Sequence, residues 1–209
     1  MFMSLFYLIA ALVVCITIHE ASHAYVAYKL GDPTAKRDGR VSLNPLRHLD
    51  PLGTLAVFIF HIGWGKPVVI NDRNFKYPVR DSALTALAGP ISNLLTAFLI
   101  AIPLKHLDFS GVLVYLGFLL QSIFSLSIVL AVFNLIPLPP FDGSKILGLF
   151  IPSKYQHKYD FFMQRAMGYV VLVLLFDIYL LESLVSFSFV KVFIGISYDL
   201  ISGFILSNT

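Results

Sequence analysis

Phe2 to Leu30 reads FMSLFYLIAALVVCITIHEASHAYVAYKL, and this stretch decides the fold. It is apolar over more than the roughly 20 residues that an α-helix needs to cross a hydrocarbon core. Only His19, Glu20 and His23 interrupt it before its basic end. No basic residue precedes it and no small-residue cleavage pattern follows it, so we read an uncleaved span rather than a signal peptide. The rest of the chain shares the bias. Of 209 residues, 57% are hydrophobic and 13% charged, and mean hydropathy is +0.81. A soluble domain carries about 25% charged residues, so too few remain here to cover a wet surface. The same figures exclude a disordered chain, which is polar and charge-rich. The single cysteine, Cys15, excludes an internal disulfide framework and a cysteine-based zinc finger. A net charge of +3 is too slight and too dispersed for a nucleic-acid partner. The expected surroundings are the lipid bilayer.

Outward from that stretch, a second span is expected from about Ser82 to Leu104 and a third from about Gly111 to Leu138. The apolar residues between about Met167 and Leu206 suffice for two more, broken near Ser186 to Lys191. One long, bent span is the alternative there. The expectation is an all-α polytopic membrane protein of about five transmembrane helices, with residues 1–209 forming a single membrane domain. Its three-helix core reaches about residue 145, with additional helices at about 167–206. No soluble accessory domain fits the remaining length. Leu52 to Val69 is apolar, too short to span and broken by glycines. It reads as a re-entrant or interfacial hairpin beside a cavity, or else as a buried packing loop.

Basic residues orient the spans. Nine lie at or between the ends of the first two spans: Lys29, Lys36, Arg37, Arg40, Arg47, Lys66, Arg73, Lys76 and Arg80. Lys145, Lys154, Lys158 and Arg165 lie between the third and fourth. With alternating spans these loops share a side, and only Lys105 and Lys191 fall on the other. Thirteen against two places the basic loops in the cytosol and the N-terminus outside, in a cell membrane.

Ionisable residues inside a span are costly and mark function. His19-Glu20-Ala21-Ser22-His23 is H-E-x-x-H, which on a helix sets both imidazoles on one face, within reach of one metal ion. Glu20 sits about 100° round the helix, beside the metal without having to ligate it. There it can move a proton between water and a leaving amine. A catalytic zinc then lacks one protein ligand. Asp142 fits, because it lies at the cytosolic end of the third span, the depth of His19 and His23. Pro137, Pro139 and Pro140 prevent a plain helix before it, and Gly143 permits a sharp turn after it. An Asp-Gly turn that merely caps a helix is the plainer reading. Asp177, Glu182 and Asp199 remain possible ligands. His48, His61, His106 and His157 read as interfacial or packing residues, His61 being the least plain because it lies in the apolar hairpin.

Two motifs give the chain a resemblance to the site-2 protease family of intramembrane zinc metalloproteases. They are His19-Glu20-x-x-His23 and Asn134-x-x-Pro137-x-Pro139-Pro140-x-Asp142-Gly143. Ala88-Gly89-Pro90-Ile91-Ser92-Asn93 adds to them, and Gly63-Trp64-Gly65-Lys66-Pro67-Val68 resembles the short, single-domain bacterial members. The resemblance covers roughly residues 10 to 145. It implies that His19, His23 and Asp142 bind one zinc ion, that Glu20 is the catalytic base, and that Asn134 orients substrate or stabilises an oxyanion. Gly89, Pro90 and Asn93 would shape helix packing. Larger members carry PDZ or CBS domains, for which this length leaves no room. The expected activity is hydrolysis of peptide bonds in membrane-protein substrates, at transmembrane helices locally unwound. A zinc transporter or channel using the same ligands is the competing reading, and it would need further polar ligands along the spans.

Overall fold

The computed structural model describes residues 2–50, 52–53 and 65–209. The hairpin expected over Leu52 to Val69, with His61 in it, lies largely outside the described residues. Among the described residues, five helices are long and apolar enough to cross a membrane. Among the described residues there is no strand, only an isolated antiparallel bridge between Leu49 and Gly65. The all-α polytopic membrane fold is therefore as expected.

Three helices build the core: α1 (Phe2–Lys29), α2 (Pro78–His106) and α3 (Val114–Asn134). They meet through small residues. Ala11, Cys15 and Ala24 of α1 and Ala97 and Ala101 of α2 are fully buried. Small side chains let backbones approach closely where no water is expelled to drive association. α1 and α3 run the same way, since Tyr7 packs against Phe118 and Cys15 Sγ lies 3.2 Å from Ser127 Oγ. α2 runs against them, with His19 beside Asn93 and His23 beside Thr85. Pro78 opens α2, where its missing N–H costs nothing.

After α3 the chain turns through Pro137, Pro139 and Pro140 into the short α4 (Asp142–Gly148). α5 (Gln156–Leu175) continues through a π-helical turn (Phe176–Leu181) and one α-turn (Glu182–Val185). Ser186, at φ 53°, breaks it, and α6 (Phe189–Asn208) follows. The break falls where the sequence places it, so the region forms two separate helices rather than one long bent helix. Ile205 of α6 is buried against Ala97, Ala101, Phe124, Ile128 and Val132. α6 runs parallel to α2: Lys105 Nζ donates to the Leu206 carbonyl and His106 Nε2 to that of Thr209.

The loop after α1 is fastened at two buried points. Asp32, fully buried, accepts from Thr34 N–H and Oγ1, from Asn71 N–H and from Asn74 Nδ2. Burial alone would raise its pKa. The hydrogen bonds from the Thr34 hydroxyl, the Asn71 N–H and the Asn74 amide outweigh that and hold it below its ordinary value. Arg40, 6% exposed, donates to the carbonyls of Lys66 and Pro67. Residues 66–71 are thereby held against the bundle.

Candidate active site

α1 presents His19 and His23 one turn apart, their rings at 4.5 Å and nearly perpendicular. Their Nε2 atoms are 2.9 Å apart. Asp142 Oδ2 lies 3.1 Å from His19 Nε2 and 3.2 Å from His23 Nε2. The three donor atoms thus form a near-equilateral triangle, brought together from two elements more than a hundred residues apart in sequence. Asp142 is the first residue of α4, placed there by the proline-rich turn. Gly143 makes the placement possible, because a Cβ there would overlap the carbonyl oxygens of Leu135 and Ile136.

The chemistry of this donor set fits a cation. His23 Nδ1 lies 2.7 Å from the Thr85 carbonyl. A carbonyl only accepts, so Nδ1 carries the proton and Nε2 of the neutral ring keeps its lone pair. His19 Nδ1 lies 3.3 Å from the Asn93 side-chain amide, whose oxygen is buried with no other partner. The two amide orientations have the same heavy-atom positions. With Oδ1 on Nδ1–H both atoms are satisfied, and His19 Nε2 also keeps its lone pair. Asp142 Oδ2, likewise buried, has no hydrogen bond. Two lone pairs and a carboxylate oxygen converge where only a positive charge reconciles them. Tetrahedral zinc with bonds of about 2.0–2.2 Å spaces its ligands by about 3.3 Å or slightly more, close to the separations here. Gly89 of α2 faces this point: a Cβ there would overlap Nε2 of both histidines. Gly89 and Asn93, expected to shape packing, also line the donor set.

Glu20 is half-buried, and its Oε2 accepts a 2.9 Å hydrogen bond from Val68 N–H. Val68 belongs to the segment that Arg40 holds. Neither Arg40 nor the Val68 amide was singled out for the site by the sequence. Asn134 ends α3, and its amide donates to the Leu130 carbonyl one turn back. The remaining candidate acids lie elsewhere. Asp177 accepts from Ser188 Oγ and from the N–H groups of Phe189 and Val190, capping α6. Glu182 pairs with Lys191, and Asp199 is exposed. Among the lone histidines, His48 Nε2 donates to the Ser42 carbonyl, His106 caps α6, and His157 is exposed. An apolar cavity of about 760 Å³ opens between α1 and α2, past Ser22, Tyr25, Leu84 and Ile91. None of His19, Glu20, His23 or Asp142 lines it.

Comparison with known proteins finds relatives named for zinc-dependent proteolysis. The family model of peptidase family M50 matches residues 112–178. YwhC of Bacillus subtilis (strain 168), named as a candidate zinc metalloprotease, is 41% identical over 176 residues, 81% of this chain and 80% of that protein. Rip2 of Mycolicibacterium smegmatis, named likewise, is 30% identical over 146 residues, 65% of this chain and 53% of its own length. MJ0611 of Methanocaldococcus jannaschii, also named so, is 29% identical over 129 residues, 62% of each chain. The chain thus spans four fifths of YwhC but about half of Rip2. No solved structure matches significantly.

Proposed function

The chain belongs to the site-2 protease family, peptidase family M50, and is a zinc metalloprotease; from this we propose that it hydrolyses peptide bonds of membrane-protein substrates within the bilayer. The convergence of His19, His23 and Asp142 inside a membrane helix bundle carries the reading. In it these three residues hold zinc, which when bound supplies a Lewis acid that acidifies water and polarises a carbonyl. Glu20 takes the proton of the attacking water and returns it to the departing amine as the C–N bond breaks. The Val68 N–H engages Glu20 Oε2, fixing the carboxylate and leaving Oε1 to meet water. Asn134 turns its amide from the Leu130 carbonyl to the substrate carbonyl oxygen, where negative charge develops. The substrate is a transmembrane helix unwound at the cut, because a helical carbonyl is already hydrogen-bonded. The enzyme lies in the cell membrane, with the site toward the cytosol, the side that the basic loops favour.

One observation weighs against transport. Among the described residues, His19, His23 and Asp142 are the one group of three such ligands close enough to share an ion. A conduction path needs further stations. The test compares the membrane proteome of the native cell carrying wild type with one carrying Glu20→Gln. Membrane-bound precursors should accumulate in the variant. Identical proteomes would contradict the reading.

A further inference from the structure

The last helix runs against a simple alternation of five crossings. α6 meets α3 at mid-height, where Tyr198 and Ser125 share a 2.9 Å hydrogen bond, and its last turn is tied to the end of α2. Nine residues separate Ser125 from Asn134, and nine separate Tyr198 from Phe189. At about 1.5 Å per residue, the start of α6 is therefore level with the end of α3, about 14 Å from that contact. His23 is at the same level, because α1 and α3 run together from the Cys15–Ser127 contact. So α6 starts at the depth of the donor triangle and leads away to the far face.

α5 joins two points at that one depth. Near its start, the Tyr159 hydroxyl donates to the carbonyl of Ser144, two residues beyond Asp142. Gln156 Nε2 donates to the carbonyls of Gly148 and Ile151. Near its end, Asp177 caps the first turn of α6. Eighteen residues separate Tyr159 from Asp177, about 27 Å of helix. A straight helix of that length with both ends at one depth cannot run along the bundle axis.

We propose that α5, with its extension to Val185, does not cross the bilayer. It lies in the plane of the leaflet that holds the active site, covered by lipid acyl chains, and the crossings are α1, α2, α3 and α6. The span from Ser153 to Val185 is apolar yet hardly buried inside the protein, and the same holds for α6, which fits a lipid cover for both whatever their direction. One further observation supports the in-plane course of α5. Lys191, at the start of α6, joins the site side. Fourteen of the fifteen basic residues then share one face, a sharper division than alternation gives. The exception, Lys105, is engaged by the Leu206 carbonyl. The inference does not depend on the enzyme's substrate.

Single cysteines at Lys36, Ser110 and Asn208, in a Cys15→Ser background, test it in sealed vesicles of both orientations with an impermeant maleimide. Position 208 should label from the same face as 110 and opposite 36. Labelling from the face of 36, or from neither, would overturn the proposal. Nitroxides placed singly from Phe162 to Phe176, in nanodiscs, should show depths oscillating every 3.6 residues about one mean, with oxygen reaching the label through the acyl chains. A steady depth gradient would mean a crossing. Protection from both oxygen and a nickel chelate along the whole helix would mean a protein cover, such as a second copy. Either result would overturn the proposal.

Discussion

At the scale of single residues, the site divides into groups that hold charge and groups that keep them in place. Glu20 is adjacent in sequence to a metal donor but is not one of the triangle. Glu20→Gln should lower turnover by about 10²–10⁴-fold, the usual weight of a general base, while zinc stays near one ion per chain. Substantial cleavage by this variant would remove Glu20 from its role. Asp142→Ala leaves two neutral histidines to hold a dication, a poor cage, so zinc content should fall markedly. Asp177→Ala should leave zinc unchanged, since that carboxylate caps α6. Equal zinc content in the two variants would mean that the Asp-Gly turn is only a turn. Gly89→Ala is the subtler case. The methyl group enters the space where both Nε2 atoms point, so zinc should be lost although no ligand changes; plasma emission analysis of purified protein measures it. The ligands were legible in the sequence because H-E-x-x-H is a local, helical spacing and Asp142 stood at the matching depth. The Thr85 carbonyl and the Val68 N–H were not, since backbone groups leave no mark on residue identity. Gly89 stands in a motif of the sequence, but only the fold shows what it faces.

Among the elements, the loop between α1 and α2 is fastened in part by a titrating group, Asp32. Its two fastenings, Asp32 and Arg40, bracket the segment that brings Val68 to Glu20. Asp32 has a folded pKa below its unfolded value. Its contribution to stability is therefore complete above the ordinary carboxylate range near pH 4. It is lost as pH falls through the lowered folded value. Thermal unfolding of wild type and Asp32→Asn in detergent should differ by a constant gap from pH 5 to 7. The gap should narrow as pH drops well below 4. A gap that widens in acid would reverse the sign assigned to Asp32. The helices themselves were readable from apolar runs, as was the break at Ser186. The loop fastening was not, because Asp32, Asn71 and Asn74 are an ordinary polar set until the fold brings them together. The segment from Leu52 to Val69 is apolar in sequence, and Arg40 holds Lys66 and Pro67 near its end.

For the whole molecule, composition gave the membrane and apolar runs gave five candidate helices, but neither gives a direction. Alternation was the natural assumption for the last two. The hydrogen bonds from Lys105 and His106 to the end of α6 join residues a hundred positions apart, which no local pattern announces. The donor triangle, by contrast, needs only that the ends of α1 and α3 share a depth, which their parallel course supplies. The central claim is that this bundle cuts peptide bonds inside a membrane with the groups on α1 and α4. Purified protein reconstituted in liposomes with single-span substrate proteins, followed by mass mapping of the new termini, tests it most directly. The account predicts cuts within the hydrophobic span, abolished by zinc chelation, restored by added zinc, and absent in Glu20→Gln. Cuts confined to soluble flanks, or cuts that persist in Glu20→Gln, would contradict it.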